Sequence, residues 1–330
     1  MNTTFKSSAR ALLAAVGIVS VSSLGAIAQE ARAPNGPIEI TVPSSAGSTP
    51  DVLMRRAAKI WNEEKIIEQP VVVVNRPGGA WMVGMNYVLE RPGDENNVLA
   101  FAEPTISTPI AQGLEPVYDK LTTLGIFVQT QLVVVAQPDH PANSLAELVA
   151  IAKEKPREVK VSGANAASTD AQVMALIEKA ADVDLTYIPH DGGGAATATF
   201  LGGNTDLITL TIDEALPLIE SDKGKALAIL NEERRPEDKL KDIPTAREQG
   251  IDVVWGQVFG LSGAPQLDPA VVKWWDEKIA ALVESDAWKA ALADNFLGGK
   301  SYPSAEATAF VAEMHKGRSE ILRAIGVAKN

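Results

Sequence analysis

Residues 38–51 constrain the fold most, because they predict a strand, a turn of small residues and a helix start in direct succession. The first five of them alternate apolar and polar side chains, which is the period of a β-strand. A proline ends the strand, and Gly47 permits backbone angles that other residues avoid. Ser48 or Thr49 is the expected N-cap, and Pro50 suits the first helical position. Such a helix N-terminus can bind an anion without Lys or Arg, although an ordinary strand-to-helix connection has the same composition.

The first 28 residues predict a signal peptide. Lys6 and Arg10 form a basic start, residues 11–27 are small and apolar, and residues 26–28 spell the cleavage signature Ala-Ile-Ala. A membrane anchor is the alternative, which the serines and glycines inside the run disfavour. We therefore expect the protein to be exported to the periplasm, with cleavage after Ala28.

The charge balance and the lack of cysteine exclude several classes of function. The chain has 30 Lys and Arg against 42 Asp and Glu, a net charge of −12. Cleavage of the leader changes this to −14, from 28 basic against 42 acidic residues. A protein this acidic binds nucleic acids and anionic membranes poorly, because like charges repel. Without any cysteine, disulfides, thiolate metal sites and cysteine nucleophiles are excluded.

Apolar runs at regular intervals predict an α/β protein. Beyond the first strand, strands are predicted from such runs and from shorter apolar segments at residues 71–74, 98–101, 132–136, 159–162, 185–189, 206–210 and 226–230. Predicted helices separate most of them, which favours parallel strands in βαβ units. Residues 103–114 contain two prolines and are expected to form a polar loop. Two long strands, at about 125–137 and 253–261, are expected to connect two lobes as a hinge, and the chain ends in helices.

Turns of small residues recur at the ends of the predicted strands, near Gly47, Ala164, Gly193 and Thr211. In open α/β sheets, ligands bind beyond the carboxyl ends of the strands. Two lobes whose turns face each other would form one cleft, so the pattern favours a protein that closes around its ligand.

Several short segments of this chain also occur together in a known family. They are ITVP at 40–43, AGST at 46–49 with Asp51, VVNRPG at 73–78, Tyr118-Asp119, LAEL at 145–148, SGAN at 162–165 with Ser168, GGGA at 192–195, LGG at 201–203 with Asp206-Leu207, DIPT at 242–245 with Glu248 and Gly250, and Trp255-Gly256 before Phe259-Gly260. In order and spacing, the chain resembles the Bug-type periplasmic solute-binding proteins of tripartite tricarboxylate transporters over nearly its whole mature length.

The resemblance implies a type II periplasmic binding fold, in which crossing strands join two α/β lobes around a ligand cleft. The first lobe would comprise residues 29–130 and 252–330, and the second residues 131–251. The implied ligand is a small organic carboxylate, the implied partners are the membrane permease subunits of the transporter, and no cofactor is implied. We expect a monomer.

The resemblance also implies a set of ligand-binding residues. The first strand–helix turn and the Ser/Gly turn of the second lobe would hold the carboxylate, mainly through backbone N–H groups and bridging waters. Carried over by position, these are Ser44, Ser45, Gly47, Ser48, Thr49, Gly163, Ala164, Asn165 and Ser168, and the rest of the site would be lined by Gly193, Gly194, Ala195, Thr211 and Asp213. Of these, Asp213 could accept a hydrogen bond from an ammonium or hydroxyl group of the ligand, or serve only as a favourable charge at a helix start.

Three positions depart from the family pattern. Ser44 replaces an aromatic residue, Asp191 replaces a frequent lysine, and Ser168 is followed by Thr169, Asp170 and Ala171 where the family has Pro and His. We therefore hypothesise a ligand with one carboxylate and a polar, hydroxylated or cationic portion. The alternative is that these side chains lie at the cleft rim, and whether Asp170, Asp191 or His190 touches ligand is left open.

Binding without catalysis is the predicted function. The three histidines, His140, His190 and His315, lack partners at metal-ligand spacing, and no hydrolase or nucleotide-binding motif is present. A receptor that reports ligand to a membrane sensor kinase is one alternative. An exported hydrolase or isomerase that uses Asp191 and His190 is the other.

Overall fold

The computed structural model describes residues 30–165, 168–190, 193–324 and 326–328. The predicted signal peptide and its cleavage site lie outside these residues, as does Asp191. None of the described helices is both long and apolar enough to cross a bilayer.

Strands and helices alternate along the described chain. The first part contains β1 (Ile38–Val42), α1 (Thr49–Glu63), β2 (Val71–Asn75), α2 (Met82–Leu89), β3 (Asn97–Phe101) and α3 (Pro104–Gln112). The middle contains β4 (Thr122–Ala136), α4 (Leu145–Glu154), β5 (Lys160–Gly163), α5 (Thr169–Ala181), β6 (Thr186–Pro189), α6 (Gly193–Leu201), β7 (Leu207–Thr211), α7 (Ile212–Glu220) and β8 (Lys225–Ile229). The last part contains β9 (Gly256–Gly263), α8 (Pro269–Glu284), α9 (Asp286–Ala293), β10 (Tyr302–Pro303) and α10 (Ser304–Ala324).

Two parallel units of the same topology make up most of the sheet. In the described residues the strands form one ten-stranded sheet with the order β2-β1-β3-β9-β4-β7-β5-β6, and β8 and β10 pair with β4. Strands β2, β1 and β3 are parallel, and so are β6, β5 and β7. Each trio places its first strand in the centre, so β1 and β5 occupy equivalent positions. The predicted α/β class is confirmed.

Strand β4 passes from one unit to the other. Residues 122–131 pair with β9, whereas Leu132–Ala136 pair with β7. The apolar core divides at the same place, because Phe127 packs with Ile38 and Trp275 whereas Val134 packs with Val161. The chain returns at residues 255–256. Trp255 is buried in the second core, and its neighbour begins β9, which pairs only with strands of the first unit among the described residues. The predicted strand 253–261 therefore starts three residues too early.

The prediction of a loop over residues 103–114 is wrong, because Pro104–Gln112 form helix α3. Pro104 stands in the first turn, where a proline costs no hydrogen bond, and Pro109 is tolerated inside the helix. Ile106 is 1% exposed and packs against Phe101 and Val311. Tertiary packing therefore outweighs the helix-breaking tendency of the prolines.

Candidate functional site

The turn after β1 leaves the start of α1 without a side-chain cap. Ser48 holds the N-cap position, but its hydroxyl accepts no hydrogen bond from the helix. Its Oγ lies 2.7 Å from the Oγ of Ser44 instead. Gly47 has φ of 81°, a left-handed conformation that glycine adopts readily. Helix α1 begins one residue earlier than expected, at Thr49. The first N–H groups of α1 therefore lie at the edge of the sheet where the parallel strands have their carboxyl ends. An anion can bind to such groups.

Asp51 fixes the shape of this first turn. One carboxylate oxygen accepts the N–H of Gly47 at 2.8 Å, and the other accepts the side-chain amide of Asn75 at 2.8 Å. Arg55, one helical turn further on, forms an ion pair with Asp51 at 2.9 Å. Burial by itself raises the pKa of Asp51, but the hydrogen bonds from Arg55, Gly47 and Asn75 outweigh it and hold the pKa below its usual value. The charge of this aspartate is therefore neutralised locally.

The turn after β5 is built around Tyr187. The hydroxyl of Tyr187 donates to the carbonyl of Ala164 at 3.0 Å and lies 3.0 Å from the hydroxyl of Ser168. Ser168 caps α5 by accepting the N–H of Ala171 at 3.3 Å. A side chain at Gly163 would place its Cβ only 2.1 Å from the Tyr187 oxygen. Glycine is therefore required there for the tyrosine to approach the turn.

Asp170 accepts the N–H of Ala164 at 2.9 Å, much as Asp51 accepts that of Gly47. Unlike Asp51, it forms no ion pair with any described residue. Burial raises the pKa of Asp170, and its hydrogen bonds offset this only in part. Burial and the nearby charge of Asp170 also raise the pKa of Tyr187.

The two units meet where α1 faces α7. The hydroxyl of Thr49 donates to a carboxylate oxygen of Glu214 at 3.2 Å. Beside this contact lies a cavity of about 80 Å³. Its wall includes Gly47, Thr49 and Arg56 from the first unit, Asp213 and Glu214 from the second, and Leu297 from the segment after α9.

Two carboxyl groups at this cavity ionise less readily than usual. Burial raises the pKa of Asp213, against the opposing effects of a hydrogen bond from Thr211 and the charge of Arg56. Desolvation raises the pKa of Glu214, and the negative charges of Asp213 and Asp170 add to the effect. The Oδ1 atom of Asp213 is enclosed and has no hydrogen-bond partner among the described residues.

The structure brings four of the fourteen predicted site residues together at this cavity. Gly47, Thr49 and Asp213 line one cavity, and the hydroxyl of Thr211 donates to Glu214 at 2.9 Å beside it. Asn165 and Ser45 are exposed on their respective turns. The Ala164 turn connects to α6, because the hydroxyl of Ser162 donates to the carbonyl of Ala196 at 2.8 Å.

Two predicted features of the second unit need comment. Gly193 and Gly194 were expected in a turn before a helix that starts at Ala195, but the helix starts at Gly193 and all three residues form its exposed first turn. Three small residues suit either conformation, and the helix continues into the buried Phe200. The N–H of His190 donates to the carbonyl of Gly163 at 3.0 Å, which places this histidine beside the second turn.

Sequence reasoning missed several residues at the site. Arg56 could have been found, because it lies seven residues after Thr49 on the same face of α1. Glu214 could also have been found, because Thr-x-x-Glu is a capping box and the structure contains one there. Leu297 carries no local signal, since it reaches the cavity only through the packing of the chain's last third.

A buried carboxylate connects the two units away from this cavity. Glu103, directly after β3, is 2% exposed. It accepts hydrogen bonds from Gln172 of α5 at 3.1 Å and from Arg318 of α10 at 3.2 Å. The guanidinium of Arg318 also lies 3.5 Å from the ring centre of Trp255. In the described residues, no group of three or more His, Asp or Glu could hold a metal ion.

The sequence of the chain is similar to a family of transporter receptors and to individual members of the Bug type. Residues 53–327 match the family described as "Tripartite tricarboxylate transporter family receptor". The chain is 27% identical to BugT of Bordetella pertussis over 286 residues, 84% of this chain and 85% of that protein.

Solved structures share the fold. The structure of the periplasmic binding protein BugD has a TM-score of 0.78 at 22% identity and covers 90% of this chain and 100% of its own. MatC from Rhodopseudomonas palustris with bound malate has a TM-score of 0.74 at 21% identity, with the same coverage of 90% and 100%. The predicted type of periplasmic binding fold is confirmed.

Proposed function

Because the chain belongs to the tripartite tricarboxylate transporter receptor family, a family of solute-binding proteins, we propose that it captures a small organic carboxylate. It does so as a periplasmic monomer and delivers the ligand to the membrane permease subunits of a transporter of that type. MatC, which shares the fold, has a solved structure with bound malate, a small dicarboxylate, and this supports the ligand class.

The uncapped start of α1 is the observation that carries the proposal. The hydroxyl of Ser48, which occupies the capping position, points to Ser44, so the first N–H groups keep their hydrogen-bonding capacity for a ligand. These donors and the helix dipole attract a carboxylate in a protein whose net charge is strongly negative. In the proposed site, residues 44–49 hold the carboxylate, and residues 163–165, 168, 193–195, 211 and 213 line the remainder.

Closure of the two lobes is part of the proposal. Pockets for small ligands usually measure about 300–1,000 Å³, whereas the cavity between α1 and α7 measures about 80 Å³. A ligand therefore gains access only when the lobes separate. The moving units are residues 29–130 with 252–330, and residues 131–251, and they rotate about the crossings at 131–132 and 255–256. Ligand shifts the population toward the closed state.

Substituting Ser48 by Asp tests the carboxylate site. An aspartate at the N-cap fills the helix terminus with the protein's own carboxylate, which keeps or raises stability. We expect calorimetry of the mature chain, residues 29–330, to detect binding of malate or another small carboxylate, and Ser48→Asp to weaken it at least tenfold. The melting temperature of the variant should not fall.

Ser144→Asp is the matched control for this experiment. Ser144 caps α4 by accepting the N–H of Glu147 at 3.1 Å, so the same substitution is made at another helix start. The control should bind like the wild type. Equal affinity of Ser48→Asp and wild type would contradict the carboxylate site. Closure is measured on the same samples, as a smaller radius of gyration by X-ray scattering on adding ligand.

A further inference from the structure

Glu103 places a buried carboxylate at the boundary between the two units. It directly follows β3 of the first unit and is 2% exposed. Gln172, in α5 of the second unit, is 0% exposed and donates from its side-chain amide to Oε1 of Glu103 at 3.1 Å. The contact from Thr49 to Glu214, which also joins the units, is exposed to solvent. A hydrogen bond is electrostatically stronger in a buried environment than in water, so the contact at Glu103 is the stronger of these two.

Arg318 of α10 holds the other oxygen of this carboxylate. Its Nε donates to Oε2 of Glu103 at 3.2 Å. Its guanidinium lies 3.5 Å from the ring centre of Trp255, the residue at which the chain returns to the first unit. Helix α10 spans this point, because Val311 lies in a core with β3 whereas Ile321 packs against the second core. Arg318 therefore lies beside the pivot proposed for closure, where a rotation of the lobes displaces it little.

The hydrogen bond from Gln172 is needed only while the lobes are together. In this arrangement both oxygens of Glu103 have a donor, and the side chain is 3% exposed. A buried carboxylate that lacks a donor costs free energy. When the second lobe moves away and takes Gln172 with it, water reaches Oε1 and replaces the amide. Loss of the amide therefore penalises the closed form and leaves the open form unchanged.

We propose that Glu103, Gln172 and Arg318 form a latch that holds the two lobes together and slows the release of ligand. The inference rests on the closure of the lobes in the proposed function. A bound ligand leaves when the lobes separate, so each release has to break the hydrogen bond between Glu103 and Gln172. The latch also connects to the second binding turn, because the N–H of Gln172 donates to the carbonyl of Ser168 at 3.1 Å. None of the three latch residues belongs to the proposed ligand-binding set, so they act as positioning residues.

The distance between two labels tests the latch without any ligand. Because the chain has no cysteine, Lys59→Cys on α1 and Lys153→Cys on α4 introduce one label site in each unit, both at exposed positions. Double electron–electron resonance measures the distance distribution of the nitroxide-labelled mature chain. We expect Gln172→Leu to raise the ratio of other distances to the distance in the closed structure at least tenfold. The reason is that leucine leaves Oε1 of Glu103 unpaired in the closed form.

Ligand release gives a second readout on the same variant. With malate as the probe, stopped-flow displacement should show release at least tenfold faster from Gln172→Leu than from the wild type. Gln137→Leu is the matched control, because Gln137 donates from its side-chain amide to the carbonyls of Phe200 and Thr205 inside the second unit. The control should keep the wild-type distances and the wild-type release rate.

Gln172→Glu keeps the test decisive if Gln172→Leu does not fold. Its carboxylate faces that of Glu103 only in the closed form, and like charges repel, so the open population should rise at least as much. A wild-type distance distribution in the folded variants would overturn the latch and leave carboxylate capture intact. An equal shift in Gln137→Leu would also overturn it. If the distances shift as expected but malate and other small carboxylates do not bind, the proposed ligand class fails and the latch stands.

Discussion

The first turns of the two parallel units differ in how they treat an aspartate. After β1, Asp51 accepts a backbone N–H and is paired with Arg55. After β5, Asp170 accepts a backbone N–H in the same way but has no ion pair with a described residue. The pKa of Asp51 is lowered and that of Asp170 is raised.

The difference between the two aspartates comes from the residue one helical turn later in α1 and in α5. Arg55 stands four residues after Asp51 and is half-exposed, so its guanidinium can reach the carboxylate. Met174 stands four residues after Asp170 and is buried in the second core, where a cation would not be tolerated. Packing of α5 therefore leaves its aspartate unneutralised. The first turn has a helix N-terminus whose own acid is neutralised, and the second has an acid with no ion pair among the described residues.

Replacing Asp51 by Asn should have the largest effect on this comparison. An amide has one acceptor oxygen, so its NH₂ group would face either the Gly47 N–H or the Asn75 amide. We expect the free energy of unfolding at pH 7 to fall by about 2 kcal/mol, the cost of leaving a buried donor unpaired. Urea denaturation measures it.

The pH dependence of the free energy of unfolding shows whether the loss in Asp51→Asn comes from the missing carboxylate charge. A carboxyl whose pKa is lowered in the folded protein stabilises above its unfolded pKa of 3.8, and the stabilisation is lost as pH falls through the folded pKa. The deficit of the variant should therefore be complete at pH 7 and shrink below about pH 4. If the variant loses the same free energy of unfolding at pH 7 and pH 2, the loss comes from altered packing and not from the charge.

Replacing Arg55 by Met makes the first turn resemble the second. Asp51 keeps the hydrogen bonds from Gly47 and Asn75 but loses its cation, so its pKa should rise. Because Arg55 is half-exposed, the expected loss at pH 7 is only about 0.5–1 kcal/mol. The acid-induced loss of stability should also begin at a higher pH than in the wild type.

Lys59→Met is the control for Arg55→Met, because it removes a cation from the same helix. Lys59 lies 3.9 Å from Glu63, and both side chains are mostly exposed. This pair should contribute almost nothing. If both variants lose the same stability, the effect of Arg55→Met comes from the net charge of α1 and not from Asp51.

Local patterns in the sequence predicted most of the fold and both turns. The alternation over β1 predicts a strand, and the small residues after it predict a turn and a helix start. All three elements depend on residues that are close together in the sequence. Helix α3 was missed because its two prolines argue against a helix, while the packing of Ile106 that favours it is not visible locally.

The cavity could be predicted only in part. Gly47, Thr49 and Asp213 come soon after the carboxyl ends of strands. Because ligands bind beyond these ends in open α/β sheets, the three residues could be predicted. The approach of Thr49 to Glu214 joins residues 165 positions apart, and its geometry depends on how the two units close on each other. The burial of Asp170 is likewise a property of the packed protein, so its unusual ionisation could not be read from the residues around it.

Replacing Asp170 by Asn should have the smallest effect and the opposite sign. A carboxyl whose pKa is raised on folding stabilises most below its unfolded pKa of 3.8, and this is lost as pH rises through the folded pKa. At pH 7 the ionised form costs stability, and an amide removes that cost while still accepting the Ala164 N–H. We expect the free energy of unfolding to rise by roughly 0.5 kcal/mol at pH 7 and to match the wild type near pH 3. Asp242→Asn, at an exposed position outside the helices, should change neither value. A loss at pH 7 as large as that of Asp51→Asn would show that the two turns are equivalent after all.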